Sequence, residues 1–285
     1  MRYIVSEDIS LLLKTWAEQN GYALPLSLIT FLRQKMKMEL KRIFGDVVEI
    51  VDENLLQQGL KSLCQQTDLP IVSLDRSYVR HQWQLNINRT VDTKLNDLGE
   101  KERFGHVALT DQIADLKKSD LRQIALLDDV VFSGNGIIRL IDQLNQEGIE
   151  VKLVIAGIVI GEGNDRIAKR EIPIWAVRHY AEVIDEVCER DFYPGVPFSG
   201  RSVHGQLHNV GAPYIHPFGK PAEWASIPEN QTESFSKFCL AQAITLWQGI
   251  EKVSGRPVYC QDIDRLPIGA PKGSGCFSEY LLSLL

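Results

Sequence analysis

The sequence has no run of about 18 apolar residues, the length a helix needs to cross a bilayer, so no membrane association is expected. It has no CxxC pair. Its five cysteines, Cys64, Cys188, Cys239, Cys260 and Cys276, are scattered and odd in number, which fits a reduced, cytoplasmic protein better than a disulfide scaffold. It has no excess of positive charge: 31 Lys and Arg stand against 37 Asp and Glu, a formal net charge of −6. Broad binding of nucleic acid through its phosphates is therefore not expected. There is no internal repeat, no low-complexity tract and no G-x-G-x-x-G or Gly-Lys-Ser/Thr loop. Met1–Asp8 leads into an amphipathic rather than uniformly apolar stretch, which predicts no secretory signal. What is present is 285 residues with 44% hydrophobic content, enough for one large domain or a core domain with an appended unit.

The most informative segment runs from Ala125 to Gly136, Ala-Leu-Leu-Asp-Asp-Val-Val-Phe-Ser-Gly-Asn-Gly. It reads as a buried strand ending in two carboxylates, Asp128 and Asp129, then a turn of small residues, then a helix. Ile137, Ile138, Ile141 and Leu144 share one face of that helix, and Gly148 stops it. Val151–Ile160 is rich in β-branched residues and reads as a second buried strand. Strand, turn, helix and strand make a βαβ unit with a parallel sheet. Ligands of such sheets bind at the carboxyl ends of the strands. Two acids there can hold ribose hydroxyls or a hydrated Mg²⁺. The turn and helix N-terminus offer free N–H groups and a positive dipole end to a phosphate.

The same dozen residues resemble the phosphoribosyl-pyrophosphate (PRPP) signature of type I phosphoribosyltransferases: a hydrophobic strand, two acids, two apolar residues, a variable residue, then Thr/Ser-Gly-x-Thr/Ser. The resemblance implies an α/β fold, doubly wound on a mainly parallel sheet, with helical N- and C-terminal flanks. It places Asp128 and Asp129 beside the ribose hydroxyls and Ser133, Gly134, Asn135 and Gly136 around the 5′-phosphate. It implies Mg²⁺, held indirectly by Asp128 and Asp129, with PRPP as substrate or ligand. Two positions depart from the signature. Gly136 stands where the family has a hydroxyl donor. Phe132 stands at the variable position, where family enzymes acting on 6-oxopurines carry an acid, so a hypoxanthine- or guanine-type enzyme is not expected.

Around this segment, residues 1–66 read as a helical N-terminal extension, 67–235 as the phosphoribosyltransferase-like core, and 236–285 as a C-terminal helix and tail. Helices are expected over Glu7–Gln19 with Ser6 as cap, from Pro25 to Arg42, and over Asp52–Gln66. The second carries the local basic stretch of residues 33–42, Arg33, Lys35, Lys37, Lys41 and Arg42, either a solvated face or a surface for an acidic partner or nucleic acid. Leu69–Leu74 reads as a core strand, and the resemblance makes Arg76, just after it, a pyrophosphate contact suited to a guanidinium fork. The polar stretch 79–105 is where the family has a flap closing over PRPP. His106–Leu109 reads as the next strand, Thr110 as the cap of a short helix, Gln123–Leu127 as the strand carrying the acids, Gly161–Asp165 as a turn, and Ile172–Val177 as another strand.

Glu189–Arg201 packs aromatics, prolines and glycines around charges. In the family a variable hood near this point holds the acceptor. Arg190, Asp191, Phe192 and Tyr193 are the candidates, the rings being able to stack on a planar group or to pack the loop itself. This stretch also resembles phosphoribosyltransferase-like proteins of bacterial stress and defence loci. His204, His208 and His216 form no complete metal set. Two functions stand open. One is transfer of a phosphoribosyl group to an acceptor. The other is a non-catalytic PRPP- or nucleotide-sensing or effector subunit of a defence or toxin–antitoxin assembly, with a homo-oligomer or protein partner met through the N-terminal helices. A phosphoaspartate-type domain is disfavoured by the mid-chain position of the acids.

Overall fold

The computed structural model describes residues 1–285. In chain order the elements begin with β1 (Arg2–Ser6), α1 (Ile9–Asn20), α2 (Leu26–Phe44), β2 (Val48–Val51), α3 (Glu53–Cys64), β3 (Ile71–Ser73) and β4 (Trp83–Gln84). Next come β5 (Ile87–Val91), β6 (Asp97–Glu102), α4 (Leu109–Lys118), β7 (Gln123–Val131), α5 (Asn135–Gln146), β8 (Glu150–Ile160), α6 (Gly161–Ala168), β9 (Ile174–Tyr180) and β10 (Val183–Cys188). The chain ends with β11 (Arg201–Val203), β12 (Val210–Ala212), α7 (Pro221–Ala225), α8 (Thr232–Ser254), β13 (Leu266–Pro267) and α9 (Phe277–Leu282).

The chain forms two compact units, one of residues 51–88 and 100–183 with Met1, the other of residues 2–50, 89–99 and 184–285. This differs from the expected spans 1–66, 67–235 and 236–285. The N-terminal stretch holds the three expected helices and two strands besides. Its first residues form β1, which sits between β10 and β2 in a three-stranded sheet, and its helix α2 packs on α8.

The first unit is an α/β layer built on a five-stranded sheet in the order β4-β3-β7-β8-β9, and every pair in it is parallel. β7 and β8 are buried for most of their length, as strands covered on both faces must be. Ile124 and Leu126 of β7, Val154 and Ala156 of β8, Ile113 and Leu116 of α4, and Ile137, Leu140, Ile141 and Leu144 of α5 make one apolar cluster. On the other face, a Cβ at Gly157 of β8 would lie 3.5 Å from Leu56 of α3, and one at Gly59 of α3 would lie 2.6 Å from Val177 of β9. Helices thus cover both faces, the doubly wound arrangement expected. α5 follows the predicted span closely because its apolar stripe is local and strong.

Three local expectations are corrected. β7 does not stop at Leu127; it continues to Val131, because Val130 and Val131 still pair with Ile158 and Val159. Residues 106–108 are not a strand but lead into α4, whose N-cap is Ala108 rather than Thr110. Gly161–Asp165 is the first part of α6, not a turn.

The second unit has its own core, centred on Trp16, Phe192, Tyr193, Phe235, Trp247 and Phe277. Its sheet runs β13-β12-β11-β5-β6, with the chain passing between units inside β5 and β6. The basic stretch is largely engaged within this unit. Arg33 forks onto Glu189 with Nε–Oε1 at 3.0 Å and Nη2–Oε2 at 2.9 Å, Arg42 bonds Glu39 and Gln231, and Lys41 bonds Asp46. Glu189 is 2% exposed and also accepts from the amides of Asp8 and Ile9 at the start of α1. Arg33→Ala leaves that carboxylate buried without its main cation. A loss of about 3–5 kcal/mol is expected, read as a lowered denaturant midpoint, whereas Lys37→Ala, on the same helix, is expected to be nearly silent. Equal effects of the two would show that the buried pair contributes nothing special.

Candidate functional site

Asp128 and Asp129 are the sixth and seventh of the nine residues of β7, which lies between β3 and β8. Each carboxylate folds back on the main chain, Asp128 Oδ1 accepting from the Asp129 amide at 3.0 Å and Asp129 Oδ1 from the Val130 amide at 2.9 Å. Burial, then the charge of Asp129, hold the Asp128 carboxyl well above the usual carboxylate range.

A third acid joins them. Asp75 follows β3 and is 1% exposed. Its oxygens accept from the amides of Ser77 at 2.6 Å, Tyr78 at 3.0 Å and Val79 at 2.7 Å. Burial, then Asp129, push its carboxyl up to about 6 despite those bonds. The sequence showed Asp75 only as a loop residue beside Arg76. Its place in the site follows from β3 pairing with β7.

Arg76 is half-buried and turned toward the segment after β4. Its Nη2 donates to Asn86 Oδ1 at 2.6 Å and to the Leu85 carbonyl at 3.3 Å. Burial lowers its affinity for a proton, and Arg80 acts the same way, while Asp75 and Asp128 oppose them. His106 is lowered by burial and then by Arg76 and Arg103. Arg76, Arg80 and Arg103 thus form a cationic group near Asp75 and Asp128, and Arg76 and Arg103 disfavour the charged form of the adjacent His106 ring. His106 was hidden from sequence reasoning by the expectation that it began a strand.

The turn after β7 is as the sequence suggested in kind. Gly134 has φ +73° and stands as the N-cap of α5, a left-handed conformation that suits glycine. A Cβ there would lie 3.2 Å from Cα and O of Gly163 in α6. Gly163 in turn is held against the Phe132 carbonyl, 2.4 Å from where its own Cβ would be. The Ser133 hydroxyl faces the Asn135 amide at 3.4 Å. Asn135 is exposed and Ser133 and Gly136 are partly so, which brings the start of α5, the helix end that favours an anion, to the surface.

Compared with known proteins, the chain matches no family model and no curated protein. Among solved structures it is similar to orotate phosphoribosyltransferase of Mycobacterium tuberculosis in complex with PRPP, at 12% identity over 45% of this chain and 74% of that one, with a TM-score of 0.27. Adenine phosphoribosyltransferase of Rhodothermus marinus matches at 16% identity over 44% of this chain and 78% of that one, TM-score 0.26. UMP synthase of Leishmania donovani matches at 14% identity, TM-score 0.28, over 45% of this chain but only 27% of that longer one. Likeness at this level leaves the site to be read from its own residues.

The expected hood is overturned by packing. Phe192 and Tyr193 are 0% exposed, and Phe192 meets Phe235 edge to face at 5.0 Å. Arg190 is paired with Asp8, and Asp191 accepts from the Gly200 amide at 2.7 Å. Phe192 and Tyr193 belong to the core of the second unit, so their rings are closed to any acceptor. Aromatic, proline and glycine content reads the same in a binding loop and in a loop folded into a core.

Proposed function

We propose that the first unit binds a phosphoribosyl pyrophosphate group and transfers its phosphoribosyl part to an acceptor. One observation carries this reading. A strand bearing Asp128 and Asp129 leads through a left-handed Gly134 into the N-terminus of α5, while Asp75 and the Arg76 group flank the acids. In this reading the ribose hydroxyls donate to Asp128 and Asp129, and the 5′-phosphate lies against Ser133–Gly136. The diphosphate faces Arg76 and Arg103. Breaking the C1′–oxygen bond sends the electron pair to the diphosphate, where cations offset its charge, and the acceptor's lone pair closes on C1′.

Asp128 and Asp129 are the residues that would hold Mg²⁺, through water, when the diphosphate brings it. Each has one oxygen engaged by a main-chain amide, which fixes the carboxylates at this end of the strand. The ion would supply charge neutralisation of the leaving group.

The burial of Phe192 and Tyr193 favours a second reading, in which the same site binds PRPP or a nucleotide as a signal without transfer. A type I phosphoribosyltransferase-like chain of a defence or toxin–antitoxin assembly would act in this way. Pyrophosphate release from PRPP and Mg²⁺, followed across a panel of bases and nucleosides, separates the two. Release with any acceptor supports transfer; tight PRPP binding without release supports sensing.

Arg76→Ala is expected to weaken binding of inorganic pyrophosphate by about 10- to 100-fold, the worth of a charge-assisted hydrogen bond or two. Ribose 5-phosphate binding is expected to change little. An equal loss for both ligands, measured by calorimetry, would remove Arg76 from the diphosphate role.

A further inference from the structure

The loop assigned above to the 5′-phosphate has a carboxylate of its own beside it. A Cβ on Gly136 would lie 2.7 Å from Glu100 Oε1 and 3.1 Å from its Cδ. Glu100 stands on β6, and its other oxygen is paired with Arg139, one turn along α5 from Gly136. The Glu100 side chain is 27% exposed and that of Arg139 is 60% exposed, so the acid is lodged and the cation lies open. β5 and β6 are joined by a tight turn in which Asp92 accepts from the amides of Lys94 and Asn96. The polar stretch expected as a flap is thus a built hairpin that carries Glu100 to this place.

Gly136 is also the position where the loop lacks a side-chain hydroxyl. The two facts concern the same few ångströms. The side chain that would have reached a phosphate is missing, and the tip of Glu100 fills its room. The first turn of a helix favours an anion, and here the chain supplies one.

We infer that Glu100 is an internal competitor for the phosphate cradle and that Arg139 holds it in place. An incoming phosphate monoester displaces the Glu100 carboxylate and takes over the charge of Arg139. The pair makes the loop selective. A dianionic phosphate displaces a single carboxylate, whereas an unphosphorylated ribose does not. This inference rests on Ser133–Gly136 being the phosphate site.

The test titrates ribose 5-phosphate, and ribose as control, into the full chain and into Glu100→Gln and Arg139→Gln by calorimetry. The amide signals of Gly134 and Gly136 are followed by NMR in the same titrations. Glu100→Gln is expected to tighten ribose 5-phosphate binding about three- to tenfold, and Arg139→Gln to weaken it by a similar factor, in line with charges at a helix end. Ribose binding moves with neither. The opposite signs matter, because both changes break the same ion pair and a purely structural role would move both in one direction. Unchanged or weaker binding by Glu100→Gln, with the two glycine amides still shifting, overturns the role of Glu100 alone. Binding that leaves both amides unmoved, or no binding by any of the three proteins, removes the phosphate site itself and with it the proposed function.

Discussion

Asp128→Asn is expected to make the protein more stable and to cripple its ligand binding. The folded state holds the Asp128 carboxyl well above its usual range, through burial first and Asp129 second. A raised acid binds its proton more tightly folded than unfolded, so its contribution to stability is lost as pH rises from about 4 through the folded-state value. Asparagine removes that loss. The gain over wild type is therefore expected to be near zero at pH 4 and to grow toward neutrality. It is read as a higher melting midpoint at pH 7 that is absent at pH 4. Asp75 differs: burial and Asp129 push it up to about 6, but its two oxygens accept from three amides, so Asp75→Asn, which turns one acceptor into a donor, should lower the midpoint. Binding of PRPP with Mg²⁺ should fall about 10- to 100-fold, because a charged acceptor for ribose hydroxyls is gone. Stability traded against binding is the mark of an acid kept for function. A lower midpoint at pH 7, or PRPP binding equal to wild type, would make Asp128 a structural residue.

Gly134→Ala should do the opposite, costing stability and binding together. The residue sits at φ +73°, where a side chain costs about 1 kcal/mol or more. The added methyl would also meet backbone atoms of Gly163 at 3.2 Å, and α6 cannot give way without moving the Phe132 carbonyl that touches it. A total of about 2 kcal/mol is expected, seen as a melting midpoint about 4–8 °C lower. Anion binding should be lost in a folded sample well below the transition, because the amides at the start of α5 are re-aimed. Gln143→Ala, at an exposed position farther along α5, is the control expected to keep both. If Gly134→Ala binds ribose 5-phosphate as wild type does, the loop is a turn and no more.

The strand, turn and helix around Asp128 were legible because each signal is local. β-branched burial marks β7 and β8, one glycine marks the left-handed turn, and a 3.6-residue stripe marks α5. The same locality explains the errors at the edges. β7 runs past the acids because pairing with β8, not composition, sets where a strand stops. The region around His106 looked like a strand from its short apolar run, yet Leu109, Ile113 and Leu116 belong to a helix packed on the sheet.

The sequence by itself determined the β7–α5–β8 unit, the acidic pair and the glycine turn that follows it, since these depend on neighbours within a few dozen residues. Tertiary structure alone decided three other things. It set Asp75 beside the pair by ordering β3 next to β7. It brought Glu100 against Gly136 by folding β5 and β6 into a hairpin. It buried Phe192 and Tyr193 in a second core assembled from both ends of the chain. Each is a contact between residues far apart in sequence, and the free energy that selects such contacts comes from apolar area removed from water and buried charge offset by partners. Neither quantity is written in any one segment.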